Sequence, residues 1–301
     1  MSDLITIALA KGRILKETLP LLEEAGITPQ DDLETSRKLI FRTNHENIKL
    51  VLIRSADVPT YVQYGAADMG IAGKDVLLEH GGEGLYEWVD LHIAPCRLMT
   101  AGFADKPLPA GRLKVATKYT SITKQYFLEQ GRQVELIKLY GAMELAPAMQ
   151  LADMIVYIVD TGNTLRANGM EPRDEIARVT SRLIINKASL RSRHRAINPL
   201  LNAIAAAANA IQAGECVNFS WSVENVQAVY FYRDGESWQD HGVAGEGTRV
   251  ECPPATTTYY LRVVLRDGSV EVREIPIYVE PVADAPQIRQ FSVDPPAQIT
   301  L

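Results

Sequence analysis

The sequence predicts an α/β domain up to about residue 211, followed by an all-β sandwich. Three observations carry this. Short apolar strands alternate with amphipathic helices in the first part, helical periodicity is lost at Gln212-Ala213-Gly214, and apolar and polar residues alternate at every second position beyond it. A chain of 301 residues with 47% hydrophobic residues can build a core in each part.

In the first part the expected strands are Leu4–Ala10, Ile48–Ile53, Met69–Ala72, Leu98–Ala101, Leu113–Ala116, Val134–Ile137, Met154–Val159 and Val179–Ile185. Ile14, Thr18, Leu21, Leu22 and Ala25 recur at helical spacing, and Gly26 closes that helix. The pattern implies a largely parallel sheet. A last helix carries Ile197, Leu200, Leu201, Ile204, Ala208 and Ile211 on one stripe. In the second part Val217, Phe219 and Trp221 alternate with polar residues. Val229–Tyr232, Arg249–Cys252, Tyr259–Leu265 and Val270–Val279 follow, with turns at Arg233-Asp234-Gly235 and Arg266-Asp267-Gly268. Trp221 reads as a core residue.

Composition narrows the function. A net charge of -6 gives no general attraction to nucleic acid or anionic lipid. The opening apolar run Leu4–Ala10 is short, follows Asp3 and reads as a buried strand, not a signal peptide. No apolar stretch is long enough to span a bilayer, so a cytoplasmic chain is expected. Cys96, Cys216 and Cys252 lack metal-site spacing, so no metal site made of protein ligands is expected; Cys96 reads as a small buried residue. Cys216 and Cys252 begin and end strands that can lie side by side. A disulfide is open to them, against which stands the reducing cytoplasm.

The segment Ile155–Gly169 holds the most chemistry. An apolar strand runs into Asp160-Thr161-Gly162-Asn163-Thr164 and then a short helix, aiming backbone N–H groups and the Thr161 and Thr164 hydroxyls at one point where a phosphate can sit. Asp160 is placed to accept hydrogen bonds from sugar hydroxyls. An ordinary strand-to-helix turn remains the plainer reading of these residues alone.

Residues 3–210 resemble the ATP phosphoribosyltransferase family. The resemblance rests on Ala10-Lys11-Gly12-Arg13, Val51–Val62, Gly65–Asp75, Cys96-Arg97-Leu98, Ala116–Tyr119, Leu139–Pro147 and the Asp160–Gly169 loop, all in order. It implies two lobes of the periplasmic-binding-protein kind, one from residues 1–93 and 177–211 and the other from 94–176, with the site in the cleft. It implies that Asp160, Thr161, Gly162, Asn163 and Thr164 hold the ribose and 5′-phosphate of phosphoribosyl pyrophosphate. Lys11, Arg54 and Arg97 would act on the departing pyrophosphate, with Arg13 beside them; Gly73 and Asp75 fall to the ATP side, or else form a tight turn and a helix cap. The implied reaction displaces pyrophosphate by N1 of ATP, the first step of histidine synthesis, with Mg²⁺ held on substrate oxygens. The implied partner is a regulatory subunit resembling a histidyl-tRNA synthetase.

Two departures stand out. The family pattern usually carries an acid where this chain has Tyr157, so either Asp160 alone serves the sugar hydroxyls or turnover falls while nucleotide binding survives. Residues 214–281 resemble a bacterial immunoglobulin-like repeat, and 282–301 resemble the first strand of a further repeat, whereas the strand expected before Gly214 is replaced by the helical run Ala205–Ala210. The alternative function is an impaired nucleotide- or solute-binding module, with the β domain as an interaction unit.

Overall fold

The structure, a computed structural model, describes residues 4–109 and 111–280. It divides into two units, Met1–Ala208 and Asn209–Leu301. The expected tail strand at 282–301 lies outside the described residues.

The first unit opens with β1 (Ile5–Ala10), α1 (Arg13–Glu24), β2 (Ile40–Arg42), β3 (Ile48–Ile53), α2 (Val58–Gln63), β4 (Met69–Gly73), α3 (Lys74–His80) and β5 (Leu85–Asp90). The chain then crosses to a second sheet through β6 (Cys96–Phe103), β7 (Leu113–Thr117), α4 (Thr120–Glu129), β8 (Val134–Lys138), α5 (Leu145–Ala148), β9 (Met154–Val159), α6 (Asn163–Ala167) and β10 (Met170–Val179). It returns for β11 (Ser181–Asn186), α7 (Lys187–Ser192) and α8 (His194–Ala208). The first sheet has the order β2-β3-β1-β4-β11-β5 and the second β10-β6-β9-β7-β8.

Both sheets are mixed, which corrects the largely parallel expectation. Only β3-β1-β4 and β8-β7-β9 run parallel. The two crossings bring β5, β6, β10 and β11 in against their neighbours, so those pairs are antiparallel. The expected strand Val179–Ile185 is in fact two: β10 ends the second sheet at Val179 and β11 starts in the first at Ser181. The second crossing therefore falls at Thr180.

β1 is central, and its alternation feeds both faces. Ile5, Ile7 and Leu9 pack with Leu15 and Leu22 of α1 and Ile197, Leu201 and Ile204 of α8, while Ala8 and Ala10 meet Val58 and Val62 of α2. The helix α2 lies so close that a Cβ on Gly70 would come within 2.8 Å of Val58 and 2.9 Å of Val62. In the second lobe one face of the sheet packs on α5 and α6 and the other on α4.

Asp68 ties the first lobe together. One carboxylate oxygen accepts from the Thr6 N–H at 2.8 Å; the other accepts from the Ser189 hydroxyl at 2.7 Å and pairs with Arg193. The side chain is 3% exposed, so each partner matters.

The second unit comprises β12 (Ala210–Gln212), β13 (Val217–Ser222), β14 (Val226–Arg233), β15 (Gly242–Val243), β16 (Glu246–Glu251), β17 (Thr257–Leu265) and β18 (Val270–Glu280). One sheet has the order β12-β18-β17-β14-β15, and the other pairs β13 with β16. Phe219 of β13 meets Phe231 and Tyr259 of the larger sheet at ring-centre distances of 5.0 and 4.7 Å, joining the layers. Trp221 stacks on Phe231 at 5.3 Å and donates from its indole N–H to the Ala244 carbonyl. The last α/β helix stops at Ala208, and Ala210–Gln212 is a strand, parallel to β18, where the sequence suggests helix through Ile211. Cys216 and Cys252 are bonded, closing a span of 36 residues.

Two outcomes follow. Replacing Asp68 by Ala strands a buried N–H and an arginine, and is expected to cost about 3 kcal/mol in denaturant-monitored unfolding of the first unit. Reducing Cys216–Cys252 is expected to cost the second unit about 3–4 kcal/mol on loop-closure grounds, read as a lower unfolding midpoint under reductant.

Candidate functional site

The site is assembled from the carboxyl ends of parallel strands. Lys11 follows β1, Arg54 follows β3, Gly73 ends β4, Lys118 follows β7 and Asp160 follows β9. Ligands sit at such ends in α/β proteins, because the loops there are free to present side chains and backbone N–H groups. Pairing of Ala10 with Ile53 sets Lys11 and Arg54 side by side, and the Lys11 N–H donates to the Ile53 carbonyl. Both side chains are exposed, with no hydrogen bond or ion pair among the described residues.

Between the lobes lies a cavity of about 370 Å³. Arg13, Gly73, Asp75, Cys96, Tyr157 and Asp160 are among its walls, joined by Ser55, Lys118 and Tyr119. Lys11, Arg54 and Arg97 lie outside that lining, at the strand ends. Arg97 pairs in register with Val159, one residue before Asp160, and its guanidinium is 4.0 Å from Glu175.

Polar contacts join the lobes across the cleft. Arg13 donates to Asp160 at 2.7 Å, and to Glu17 at 2.8 Å on its own helix. Those bonds, led by Glu17, raise the guanidinium's already high pKa. The Tyr119 hydroxyl donates to Asp75, which is 8% exposed. Burial first, then the Asp75 charge and hydrogen bond, hold that phenol far above its ordinary pKa, so it remains a donor. Glu79 of α3 accepts from the Thr120 hydroxyl and the N–H groups of Ser121 and Ile122, capping α4 from the opposite lobe. Asp75 is thus a strut as well as a wall of the cavity. A Cβ on Gly73 would meet the Asp75 carboxylate, so a side chain there would have to displace that strut.

The loop after β9 is exposed and internally braced. Gly162 takes a φ of 73°, and Arg166 donates to the Thr161 carbonyl at 2.9 Å and to the Asn163 side chain at 2.5 Å. The guanidinium braces the turn through these two bonds. The Thr161 hydroxyl accepts a long bond from the Asn163 N–H, and the Thr164 carbonyl takes the Asn168 amide. Tyr157, half-buried against the α5–α6 face, has its pKa raised by burial and then by Glu144. Glu17, Glu79, Lys118, Tyr119 and Arg166 were not expected from sequence. Lys118, Tyr119 and Arg166 stood within segments on which the resemblance rests; Glu17 and Glu79 act through partners in space. Among the described residues, no three His, Cys, Asp or Glu side chains converge as a metal cage.

Fold and site define a two-lobed α/β protein with a cleft carrying cations at one wall's strand ends and a glycine-turned loop at the other. A model of the ATP phosphoribosyltransferase family matches residues 54–206. Curated relatives of that name from Saccharophagus degradans and Teredinibacter turnerae are 62% and 60% identical over 205 residues, covering 68% of this chain and 96% of each relative. The solved ATP phosphoribosyl transferase (HisG:HisZ) complex from Thermotoga maritima contains a chain similar at 29% identity and a TM-score of 0.61, with 68% of this chain and 98% of that one covered. The chain belongs to the ATP phosphoribosyltransferase family and is an enzyme of that family.

Cys96 offers a probe of the cleft. Burial first, then Asp75, push its thiol up to about 11, with Arg13 and Lys118 pulling the other way. At neutral pH it is a thiol, so iodoacetamide is expected to label it on the order of a hundredfold more slowly than an unperturbed cysteine, with the rate rising as pH approaches that value. Mass spectrometry of the alkylated peptide reads this directly.

Proposed function

We propose that the cleft transfers the phosphoribosyl group of phosphoribosyl pyrophosphate to N1 of ATP, releasing pyrophosphate, as the first step of histidine synthesis. The observation that carries this reading is the convergence of strand ends: Lys11 and Arg54 from one sheet, the Asp160–Thr164 loop from the other, joined by Arg13. In this assignment Thr161, Gly162, Asn163 and Thr164 cradle the 5′-phosphate, Asp160 accepts from ribose hydroxyls, and Gly73 and Asp75 border the ATP. As the bond from the anomeric carbon to pyrophosphate stretches, positive charge grows on the sugar and negative charge on the departing group. Lys11, Arg54 and Arg97 then stabilise the leaving group, which asks for fixed cations more than for a strong base. Mg²⁺ enters with the pyrophosphate as part of the substrate, held by its oxygens and water.

Both substrates are cytoplasmic metabolites, which is where we place the reaction. We infer a regulatory partner resembling a histidyl-tRNA synthetase; the two-protein assembly of the Thermotoga maritima relative supports it. We read the second unit as an immunoglobulin-like sandwich serving as an interaction module. Its two facing sheets and the aromatic layer between them support that reading.

The test is pyrophosphate release from ATP, phosphoribosyl pyrophosphate and Mg²⁺, with and without a synthetase-like subunit. Release dependent on both substrates is expected. Tight binding of both with no release under either condition identifies a binding module instead. Tyr157→Asp is expected to change kcat by less than about tenfold, because Asp160 supplies the acceptor the sugar needs. A larger gain shows that the phenol limits turnover.

A further inference from the structure

We infer that Glu17 is a positioning residue of this reaction, holding the hinge between the lobes with one carboxylate oxygen and aiming Arg13 across the cleft with the other. The inference rests on the proposed function of the cleft and extends it to a residue outside the ligand loop and the strand-end cations.

Glu17 lies one helical turn beyond Arg13 on α1. Its Oε1 accepts from Arg13 Nε at 2.8 Å, and its Oε2 accepts from the Ala94 N–H at 2.6 Å. Ala94 is in the segment where the chain first crosses between lobes. That segment is conformationally costly: His92 has a φ of 56° and Ala94 a φ of 51°, the left-handed region that side chains other than glycine disfavour. Each residue has its N–H taken by a carboxylate, His92 by Asp90 and Ala94 by Glu17. Asp90 belongs to the hinge strand itself, whereas Glu17 reaches in from α1 and is shared with the cleft.

Arg13 is oriented from two sides. Glu17 takes Nε, and the Pro95 carbonyl accepts from Nη2 at 3.3 Å. That leaves Nη1 pointing across the cleft, where it meets Asp160 at 2.7 Å. A sugar phosphate arriving in the Asp160–Thr164 loop competes for Asp160, so Asp160 cannot be what holds Arg13 in place during the reaction. Glu17 and Pro95 remain, and both report the position of the hinge. One carboxylate therefore couples the hinge angle to the direction of the guanidinium.

The test uses the full chain with its substrates and Mg²⁺. Glu17→Ala is expected to lower kcat/KM for phosphoribosyl pyrophosphate by about tenfold or more, with KM for ATP changed by less than about threefold. Arg13→Ala and the Glu17→Ala/Arg13→Ala double variant are expected to agree within about twofold, since Glu17 acts through Arg13; losses that multiply overturn the inference. Hydrogen exchange of the Ala94 amide is read separately. It is expected to speed up about tenfold or more in Glu17→Ala at an unchanged unfolding midpoint. Glu17→Gln, which accepts properly from only one of the two donors, should fall between native and Ala in both measurements. Native turnover with Glu17 variants equal to it sinks this inference alone, whereas absence of native turnover with and without the partner subunit sinks the proposed function.

Discussion

The site depends on β1 being paired in parallel with β3 on one side and β4 on the other. Three strands that run the same way in register must end at the same edge, so whatever follows them is brought together without a dedicated scaffold. Lys11, Arg54 and Gly73 are neighbours for that reason. The same holds across the cleft, where β7 and β9 are parallel and deliver Lys118 and Asp160. Loops at such ends can change while the strands hold their positions.

Opposed strand ends alone would leave two lobes hinged loosely at two crossings. What draws them together is a set of polar contacts, each from a residue at a strand end or near the end of a helix. Glu79 shows how specific these are: Tyr119 precedes α4 but caps it with no side-chain bond of its own, and a carboxylate from the other lobe supplies the acceptor. The first turn of α4 thus takes its acceptor from the opposite lobe, where water would otherwise serve. Tyr119 spends its hydroxyl on Asp75 instead, another bond across the same gap. Contacts of this kind favour closure without burying much apolar surface, which suits a cleft that must open again to release charged products.

Much of this was legible in sequence where a residue's own neighbours decide its state. The strands Ile48–Ile53 and Met154–Val159 stand where apolar runs predict them. The β10 strand was not legible, because Glu171-Pro172-Arg173-Asp174-Glu175 reads as a loop; as an edge strand it has only β6 to satisfy, with Glu171, Asp174 and Glu175 exposed and Arg173 donating to the Phe103 carbonyl. The apolar run at 179–185 likewise hides the crossing at Thr180, since hydrophobicity does not say which sheet a residue enters. In the site, residues within motifs could be named, but their partners could not. Tyr119 meets a residue 44 positions away and Glu17 an N–H 77 positions away.

The second unit turns on the same competition between local and distant preference. Ala205–Ala210 is a strong helix-forming run, and continuing the helix costs nothing locally. Yet a β-sheet of this size has few strands over which to spread its core, and the edge of β18 offers unpaired N–H and carbonyl groups to any segment able to lie along it. Ala210–Gln212 does so, and Ile211 gains a place in the aromatic core with Phe219, Phe231 and Tyr259. The helix therefore gives way because an unsatisfied sheet edge and a burial site coincide at one residue. The disulfide makes up for the same shortage of core: the two-stranded sheet has only one ladder, and Cys216–Cys252 extends it by a covalent rung beyond the Val217–Glu251 pair.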